Sequence, residues 1–325
     1  MVQVVEAKKH HRIVVLGTGG TIAGTAHTGD PSRYCAAQLG VEQLMAALPD
    51  LASALQGHVL EVEQLAQLDS KDMDHATWQS LAVRCAQLLA DDEVSAVVIT
   101  HGTDTLEETA WFLQRVLKPS KPVVITCAMR PANVLGADGP PNLMDAVRVA
   151  RDAQRSGVLA VCAGRVHSAR HVQKVHPHRL DAFSSGDSGP MGWVEGGRVR
   201  WSGGSLPEDE GAVLSAALRT PSTAWPRVAV LISHAGADRA VLEALVCSGV
   251  RGLVLACTGN GTLHQAIQAG LDDARAKGVQ VMLATRCPLG RIVGHDTQQM
   301  VMDLNPVKAR VELMLRMLEQ REAKA

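Results

Sequence analysis

Two short segments concentrate side chains that could act on a substrate. The first is Gly17-Thr18-Gly19-Gly20-Thr21-Ile22-Ala23-Gly24, and the second is Thr100-His101-Gly102-Thr103-Asp104-Thr105. Glycines let a backbone approach a ligand closely and turn N–H groups toward it. A threonine hydroxyl becomes a nucleophile when a neighbouring group takes its proton. The two segments therefore indicate turns that present threonine hydroxyls for chemistry.

Neither segment fits a nucleotide-binding loop. A dinucleotide fingerprint that starts at Gly17 would need its third glycine where Ile22 stands, and a Walker-type loop would end in Gly-Lys-Ser/Thr. A structural alternative stays open for both segments, since Thr21 could cap a helix and so could Asp104 or Thr105. Capping needs one such residue, however, and the second segment carries five polar side chains.

Two weaker polar segments accompany them. Ala128-Met129-Arg130-Pro131 is followed at 137–140 by Ala-Asp-Gly-Pro, and Ser70-Lys71-Asp72-Met73 forms a second cluster. Ordinary loop sequence explains much of each of these segments when it is taken alone.

Short apolar, β-branched runs precede most of these segments, and helix-like stretches separate the runs. Buried strands are predicted at 13–16, 97–100, 123–126 and 158–162, and helices at 107–117 and 142–155. This alternation predicts a parallel sheet covered by helices on both faces. Ligands of such sheets bind beyond the carboxyl ends of the strands, which is where the polar segments lie.

A stretch rich in glycine, proline and charge at 202–226 interrupts this pattern and predicts a linker. Strand–helix alternation restarts after it, and an amphipathic helix is predicted after Pro306. We therefore predict an α/β protein of two domains: a larger N-terminal domain at 1–201, mostly parallel sheet flanked by helices, and a smaller C-terminal α/β domain at 227–325.

Composition narrows the class of function. The 325 residues are 46% hydrophobic and have a formal net charge of -1, so no basic excess favours nucleic acid or an anionic membrane. The apolar run at 13–16 is too short for a signal-peptide core, and no run reaches transmembrane length. Seven single cysteines without a CxxC pair favour free thiols in a reducing cytosol over disulfides or a metal site. His171, His176 and His178 are interpreted as a solvated loop rather than a metal site.

The two glycine–threonine segments, in this order and separation, resemble the two signature segments of the bacterial-type L-asparaginase family. Met129-Arg130-Pro131 and the block at 137–140 are similar to a third. The resemblance implies hydrolysis of L-asparagine to aspartate and ammonia by a threonine nucleophile, with no metal or cofactor. It also implies a cytoplasmic homotetramer or homodimer.

The resemblance also implies a role for individual residues. Thr21 matches the nucleophile and Tyr34, the single tyrosine of the chain, matches the tyrosine that assists it. Thr103, Asp104 and Lys174 match the second essential threonine, the carboxylate that binds the substrate ammonium and the active-site lysine. The remaining matches concern substrate binding and are Gly20, Ser70, Lys71 and, through its carbonyl, Ala128.

This chain departs from the family pattern at three places. Lys71 stands where periplasmic members often have glutamine, Thr262 replaces an asparagine, and the glutamate expected after the segment at 286–290 is not evident. Substrate range is therefore open between asparagine alone and both asparagine and glutamine. A non-catalytic amino-acid sensor of the same fold is a further alternative, although such a sensor would be expected to lose Thr21, Thr103 or Lys174. An archaeal tRNA-dependent amidotransferase subunit is disfavoured by the lack of basic charge.

Overall fold

A computed structural model of the protein describes residues 11–27, 30–152, 154–203, 213–294 and 300–324. The strands in chain order are β1 (Arg12–Gly19), β2 (Thr25–His27), β3 (Asp30–Cys35), β4 (Val59–Leu68), β5 (Val94–Thr100), β6 (Pro122–Thr126), β7 (Gly157–Cys162), β8 (Arg165–Ser168), β9 (Gln173–Lys174), β10 (Phe183–Ser184), β11 (Gly192–Glu195), β12 (Arg198–Trp201), β13 (Val228–Ile232), β14 (Gly252–Cys257), β15 (Gln280–Thr285) and β16 (Met300–Val301). The helices are α1 (Val41–Ala46), α2 (Leu51–Leu55), α3 (His75–Leu89), α4 (Leu106–Leu117), α5 (Gly139–Arg151), α6 (Ala216–Arg219), α7 (Ala240–Cys247), α8 (Gln265–Ala276) and α9 (Pro306–Glu322).

The large sheet has the strand order β12-β11-β8-β7-β6-β5-β1-β4. Its first five strands along the chain, β1, β4, β5, β6 and β7, run parallel, and β8, β11 and β12 extend it in antiparallel fashion. All four predicted strands of this half lie inside β1, β5, β6 and β7. The predicted α/β fold class is confirmed, and the sheet is mixed at one side.

The helix predicted at 142–155 begins and ends earlier, as α5. Pro140 and Pro141 occupy its first turn, where proline has no N–H to lose and its fixed φ suits a helix. Asp152 leaves the helical conformation with ψ of 85° and ends it. Pro140, in a segment that ordinary loop sequence could explain, therefore lies in the first turn of a helix.

The register of the parallel strands aligns the ends that carry the polar segments. Gly17 of β1 is the Cα partner of Thr100 of β5, and Thr100 is the partner of Thr126 of β6. Because parallel strands end at the same edge of a sheet, the segments after β1, β5 and β6 meet there.

The C-terminal part forms a parallel sheet of order β13-β14-β15-β16 with α7 and α8. Helix α9 joins the two parts, because Glu312 on α9 forms a buried ion pair with Arg115 on α4, with Oε2–Nε of 2.8 Å. The predicted linker lies partly outside the described residues. In its described part, Ala216 and Ala217 of α6 are fully buried, and Ala216 N donates to Glu319 Oε1 at 2.6 Å.

Among the described helices, none is long and apolar enough to cross a membrane. The cysteines are free thiols that divide by burial: Cys35, Cys247 and Cys287 are exposed, whereas the buried ones are Cys85, Cys127, Cys162 and Cys257.

Candidate active site

The segment after β1 turns sharply at Gly20. Gly20 has φ of 82°, a conformation that favours glycine, and a Cβ built on it would lie 2.4 Å from the Gly102 backbone. A side chain at position 20 would therefore push the two predicted segments apart. Thr21 and Thr103 directly follow these two glycines, whose backbones are in contact.

Thr21 does not cap a helix. The capping position of the short 3₁₀ turn Thr21–Ala23 is Gly20, and the Thr21 hydroxyl instead lies 3.1 Å from Tyr34 Oη. Tyr34 sits on β3, where it pairs with Ala26 of β2, and 42% of its surface is exposed. The phenol oxygen can thus take a proton from the threonine hydroxyl or give one to it.

The segment after β5 forms a second polar group around Lys174. Lys174 Nζ donates to Thr103 Oγ1 at 2.8 Å and to Asp104 Oδ1 at 2.6 Å. Thr103 is buried, whereas the Asp104 side chain is 52% exposed. Helix α4 starts here without a side-chain cap, because Thr105 Oγ1 donates to Ser70 O. The carboxylate of Asp104 therefore remains open to a bound cation.

Ser70 lies directly beneath this group. Its hydroxyl accepts from Asp104 N at 3.1 Å, and its side chain is almost fully buried. A Cβ on Gly102 would come within 2.4 Å of Ser70 Oγ, so the sequence needs glycine there as well. On the side that faces Gly102, the serine side chain and the backbone pack too closely for a side chain at position 102.

Lys71 points its charge at two carboxylates. Its Nζ lies 2.8 Å from Asp69 Oδ2 and 3.0 Å from Asp72 Oδ2, and its side chain is 60% exposed. The hydrogen bonds that Lys71 donates to these carboxylates raise its pKa. Its positive charge is thereby compensated locally, which reduces its repulsion of an ammonium group bound near Asp104.

The backbone after β6 is held by two buried side chains. Asp138 accepts from Met129 N and Arg130 N, both at 2.9 Å, and Asn142 Nδ2 donates to Cys127 O at 2.9 Å. Between these bonds lies Ala128, which is fully buried. Its backbone is thus fixed on both sides.

A buried hydrogen-bond chain supports the second segment from behind. Trp78 Nε1 donates to Thr109 Oγ1 at 2.8 Å, and that hydroxyl lies 3.0 Å from His101 Nε2. His101 Nδ1 in turn lies 2.7 Å from Gly102 O. Burial lowers the pKa of His101 to about 4, so the imidazole is neutral at neutral pH and donates from Nδ1 to the carbonyl.

Lys174 is positioned by residues that sequence reasoning missed. Its backbone N donates to Glu107 Oε2 at 2.8 Å, and Asn305 Nδ2 donates to Glu107 Oε1 at 3.1 Å. Lys308 of α9 is 1% exposed, and its Nζ donates to the carbonyls of Ala169, Arg170 and Val172, just before Lys174. Lys308 could have been noticed in the sequence as a charged residue next to the apolar stripe of the predicted C-terminal helix.

The three clustered histidines make local bonds. His171 Nδ1 lies 3.2 Å from Ser168 Oγ, and His176 Nδ1 accepts from His178 N and Arg179 N. In the part of the chain that the structure describes, no group of three His, Cys, Asp or Glu side chains could hold a metal ion.

The fold and site define a two-domain α/β protein with two threonine-bearing turns in contact at the carboxyl ends of the parallel strands. The family model "Asparaginase, N-terminal" matches residues 12–206, and "Glutaminase/Asparaginase C-terminal domain" matches residues 227–325. The chain belongs to the asparaginase family of amidohydrolases, which confirms the resemblance predicted from the sequence.

Individual relatives cover nearly the whole chain. L-asparaginase 2 of Bacillus subtilis (strain 168) is 36% identical, over 95% of this chain and 83% of its own. Glutaminase-asparaginase of Pseudomonas fluorescens biotype A is 34% identical, over 98% of this chain and 90% of its own. The crystal structure of a probable cytoplasmic L-asparaginase from Campylobacter jejuni superposes with a TM-score of 0.85 at 34% identity, covering 97% of this chain and all of that one.

Proposed function

We propose that the protein hydrolyses L-asparagine to L-aspartate and ammonia, with Thr21 as the nucleophile. One observation carries the proposal: the Gly20–Gly102 contact places Thr21 with Tyr34 beside Thr103 with Lys174. Two hydroxyls, each within hydrogen-bonding distance of a group that can exchange its proton, suit acyl transfer. Names of relatives that include L-asparaginase support the substrate.

The substrate's charged ends match the polar groups of the cleft. Asp104, half-exposed beside Lys174, binds the α-ammonium, and the Ser70 hydroxyl binds the α-carboxylate. The carbonyl of Ala128 accepts from the side-chain amide, which directs the amide carbon toward Thr21. Binding both the α-ammonium and the α-carboxylate fixes the position of the amino-acid backbone. The distance from there to Thr21 then selects for the length of the substrate side chain.

The reaction proceeds in two steps. Thr21 Oγ1 attacks the amide carbon and passes its proton to Tyr34, while Tyr34 gives its own phenolic proton to the amide nitrogen. Collapse of the tetrahedral intermediate then breaks the C–N bond and releases ammonia. Backbone N–H groups at the glycine turns stabilise the oxyanion, an effect worth roughly 3 kcal/mol per donor. A water then attacks the acyl ester, and Lys174 with Thr103 takes the proton of that water. Thr21 Oγ1 regains a proton as aspartate is released.

The test is ammonia release from the purified protein with L-asparagine. We expect saturable release, which Thr21→Ala and Thr103→Ala each reduce by more than a hundredfold. Thr25→Ala, a change of the same type on the neighbouring β2, serves as the control and should retain activity. Mass spectrometry of the Thr103→Ala protein after mixing with substrate should show an acyl adduct on Thr21. An acyl adduct on Thr103 in the Thr21→Ala protein would show that Thr103, and not Thr21, is the nucleophile.

A broader asparagine and glutamine hydrolase is the second candidate, because some relatives are named glutaminase-asparaginase. Ammonia release from L-glutamine under the same conditions separates the two. A folded protein that binds asparagine without releasing ammonia would instead be a sensor and would refute the hydrolase.

Compartment and assembly are parts of the same proposal. We propose a cytoplasmic homo-oligomer, a dimer or tetramer, that needs no cofactor. The Campylobacter jejuni relative is named cytoplasmic, whereas a Haemophilus influenzae relative is named periplasmic. Cell fractionation and analytical ultracentrifugation test the two points.

A further inference from the structure

Two buried cysteines lie side by side at the end of the parallel sheet. Thr126 of β6 and Val161 of β7 are Cα partners, and Cys127 and Cys162 each follow by one residue. Parallel neighbours are about 4.8 Å apart, within the roughly 4.4–6.8 Å that a disulfide spans between Cα atoms. Both side chains lie in the same buried core cluster. The strand spacing therefore suits a disulfide between Cys127 and Cys162.

A histidine completes this cluster. His167 of β8 is 1% exposed, and its Nδ1 lies 2.8 Å from Ser185 Oγ. Its Nε2 is buried and makes no hydrogen bond of regular geometry among the described residues. With Nδ1–H bonded to the serine hydroxyl, Nε2 is free to take a proton from Cys162.

The two thiols are chemically unequal. The hydrogen bond from Cys127, followed by the effect of His167, lowers the pKa of Cys162 to about 6, whereas the bond to Cys162 raises the pKa of Cys127. A thiolate beside a protonated thiol is the arrangement of an attacking and a resolving cysteine.

We propose that Cys127 and Cys162 form a peroxide-oxidised dithiol, a modification site separate from amide hydrolysis. Cys162 thiolate attacks one peroxide oxygen and breaks the O–O bond, giving a sulfenic acid and one water. Cys127 then attacks the Cys162 sulfur, the S–OH bond breaks, and a second water leaves as the disulfide forms. The thiols lose two electrons and the peroxide gains them.

Burial selects the oxidant. Cys127 is 1% exposed and Cys162 is 5% exposed, so a bulky disulfide reagent has no approach to either sulfur. Hydrogen peroxide is small and uncharged and enters such a site more readily. The pair therefore differs from the exposed cysteines, which react with any soluble oxidant.

The test uses the full chain with Cys35, Cys247 and Cys287 changed to serine, which leaves four thiols of seven. After treatment with hydrogen peroxide, thiols counted in denaturant should fall from four to two, and dithiothreitol should restore four. Digestion by trypsin separates the two cysteines, because arginines lie between them, so a peptide pair joined through Cys127 and Cys162 identifies the bond.

Variants of the same background check the order of attack. Cys127→Ser should stop at a sulfenic acid on Cys162 that dimedone labels, and Cys162→Ser should lose no thiol at Cys127. Cys85→Ser, at a buried single thiol, serves as the control and should still form the joined pair. Two free thiols at 127 and 162 after peroxide, or equal oxidation of Cys85 and Cys257 in the parent, would overturn the proposal. The readout is independent of asparagine hydrolysis.

Discussion

Glu107→Gln is the most informative single change, because it keeps the shape of a side chain that positions Lys174. Both carboxylate oxygens of Glu107 accept hydrogen bonds, one from Lys174 N and one from Asn305 Nδ2. A glutamine side chain has one acceptor oxygen and one NH₂ group. Either Lys174 N or Asn305 Nδ2 would therefore face the NH₂ group, which is also a donor. Asn305 cannot turn its own oxygen inward without losing its bond to Lys308 N at the start of α9.

The magnitude follows from these contacts. A hydrogen bond to a charged group contributes about 1.5–3 kcal/mol to stability, and a buried donor left without an acceptor costs a similar amount. Glu107 also loses its charge next to the buried Lys308. We expect Glu107→Gln to lower the free energy of unfolding by about 2–4 kcal/mol. If half of that loss affects the placement of Lys174, kcat falls about tenfold.

Glu108→Gln is the matched control. Both glutamates lie in the first turn of α4, so their interaction with the helix dipole is equivalent and cancels in the comparison. Glu108 pairs with Arg310 at 2.8 Å through side chains that are 15% and 24% exposed, and we expect the loss of this partly buried ion pair to cost about 1 kcal/mol. Urea unfolding and ammonia release are measured for both variants.

The comparison has a clear negative outcome. Equal unfolding free energies for the two variants would show that the bonds to Lys174 and Asn305 do not stabilise the folded protein. Lower stability with unchanged kcat would show instead that Glu107 stabilises the fold without positioning the lysine.

Three further outcomes are expected. Burial lowers the pKa of His101 to about 4, so this imidazole binds a proton more tightly in the unfolded chain than in the folded one. The free energy of unfolding should therefore fall by about 3 kcal/mol from pH 6.5 to 4. Imidazole NMR shifts of His101 that titrate near pH 6.5 in the folded protein would contradict this. Arg115→Met removes one of the two arginines that pair with the buried Glu312, while Arg316 remains at 2.7 Å, and should cost about 3 kcal/mol in thermal or urea unfolding. Gly102→Ala drives a Cβ into Ser70 Oγ and should lower the free energy of unfolding by about 1–3 kcal/mol. Asparagine turnover should fall by more than this loss of stability accounts for. Wild-type turnover in this variant would refute the close packing.

Local patterns in the sequence predicted the elements that hold the site. Buried β-branched runs predicted β1, β5, β6 and β7, since a strand covered on both faces leaves a continuous apolar signal. The glycine–threonine segments predicted the site for a similar reason, because close backbone contact permits only glycine at positions 20 and 102.

Features that depend on distant partners were not predictable in this way. The antiparallel strands β8, β11 and β12 are four residues each, too short for a periodic signal. Lys308 donates to the carbonyls of Ala169, Arg170 and Val172, which lie far from it in the sequence. The domain boundaries and the roles of Thr21, Tyr34, Thr103, Asp104 and Lys174 stay predictions until tested.

The position of Lys308 has a consequence for how the protein is made. A ribosome releases the chain from its N-terminus, and domains begin to fold as they emerge. Thr21 and Thr103 emerge early, whereas the lysine that binds the carbonyls before Lys174 belongs to the last helix. We expect nascent chains to acquire a competent site only after α9 has emerged, so that removal of α9 inactivates the protein even when the N-terminal domain is whole.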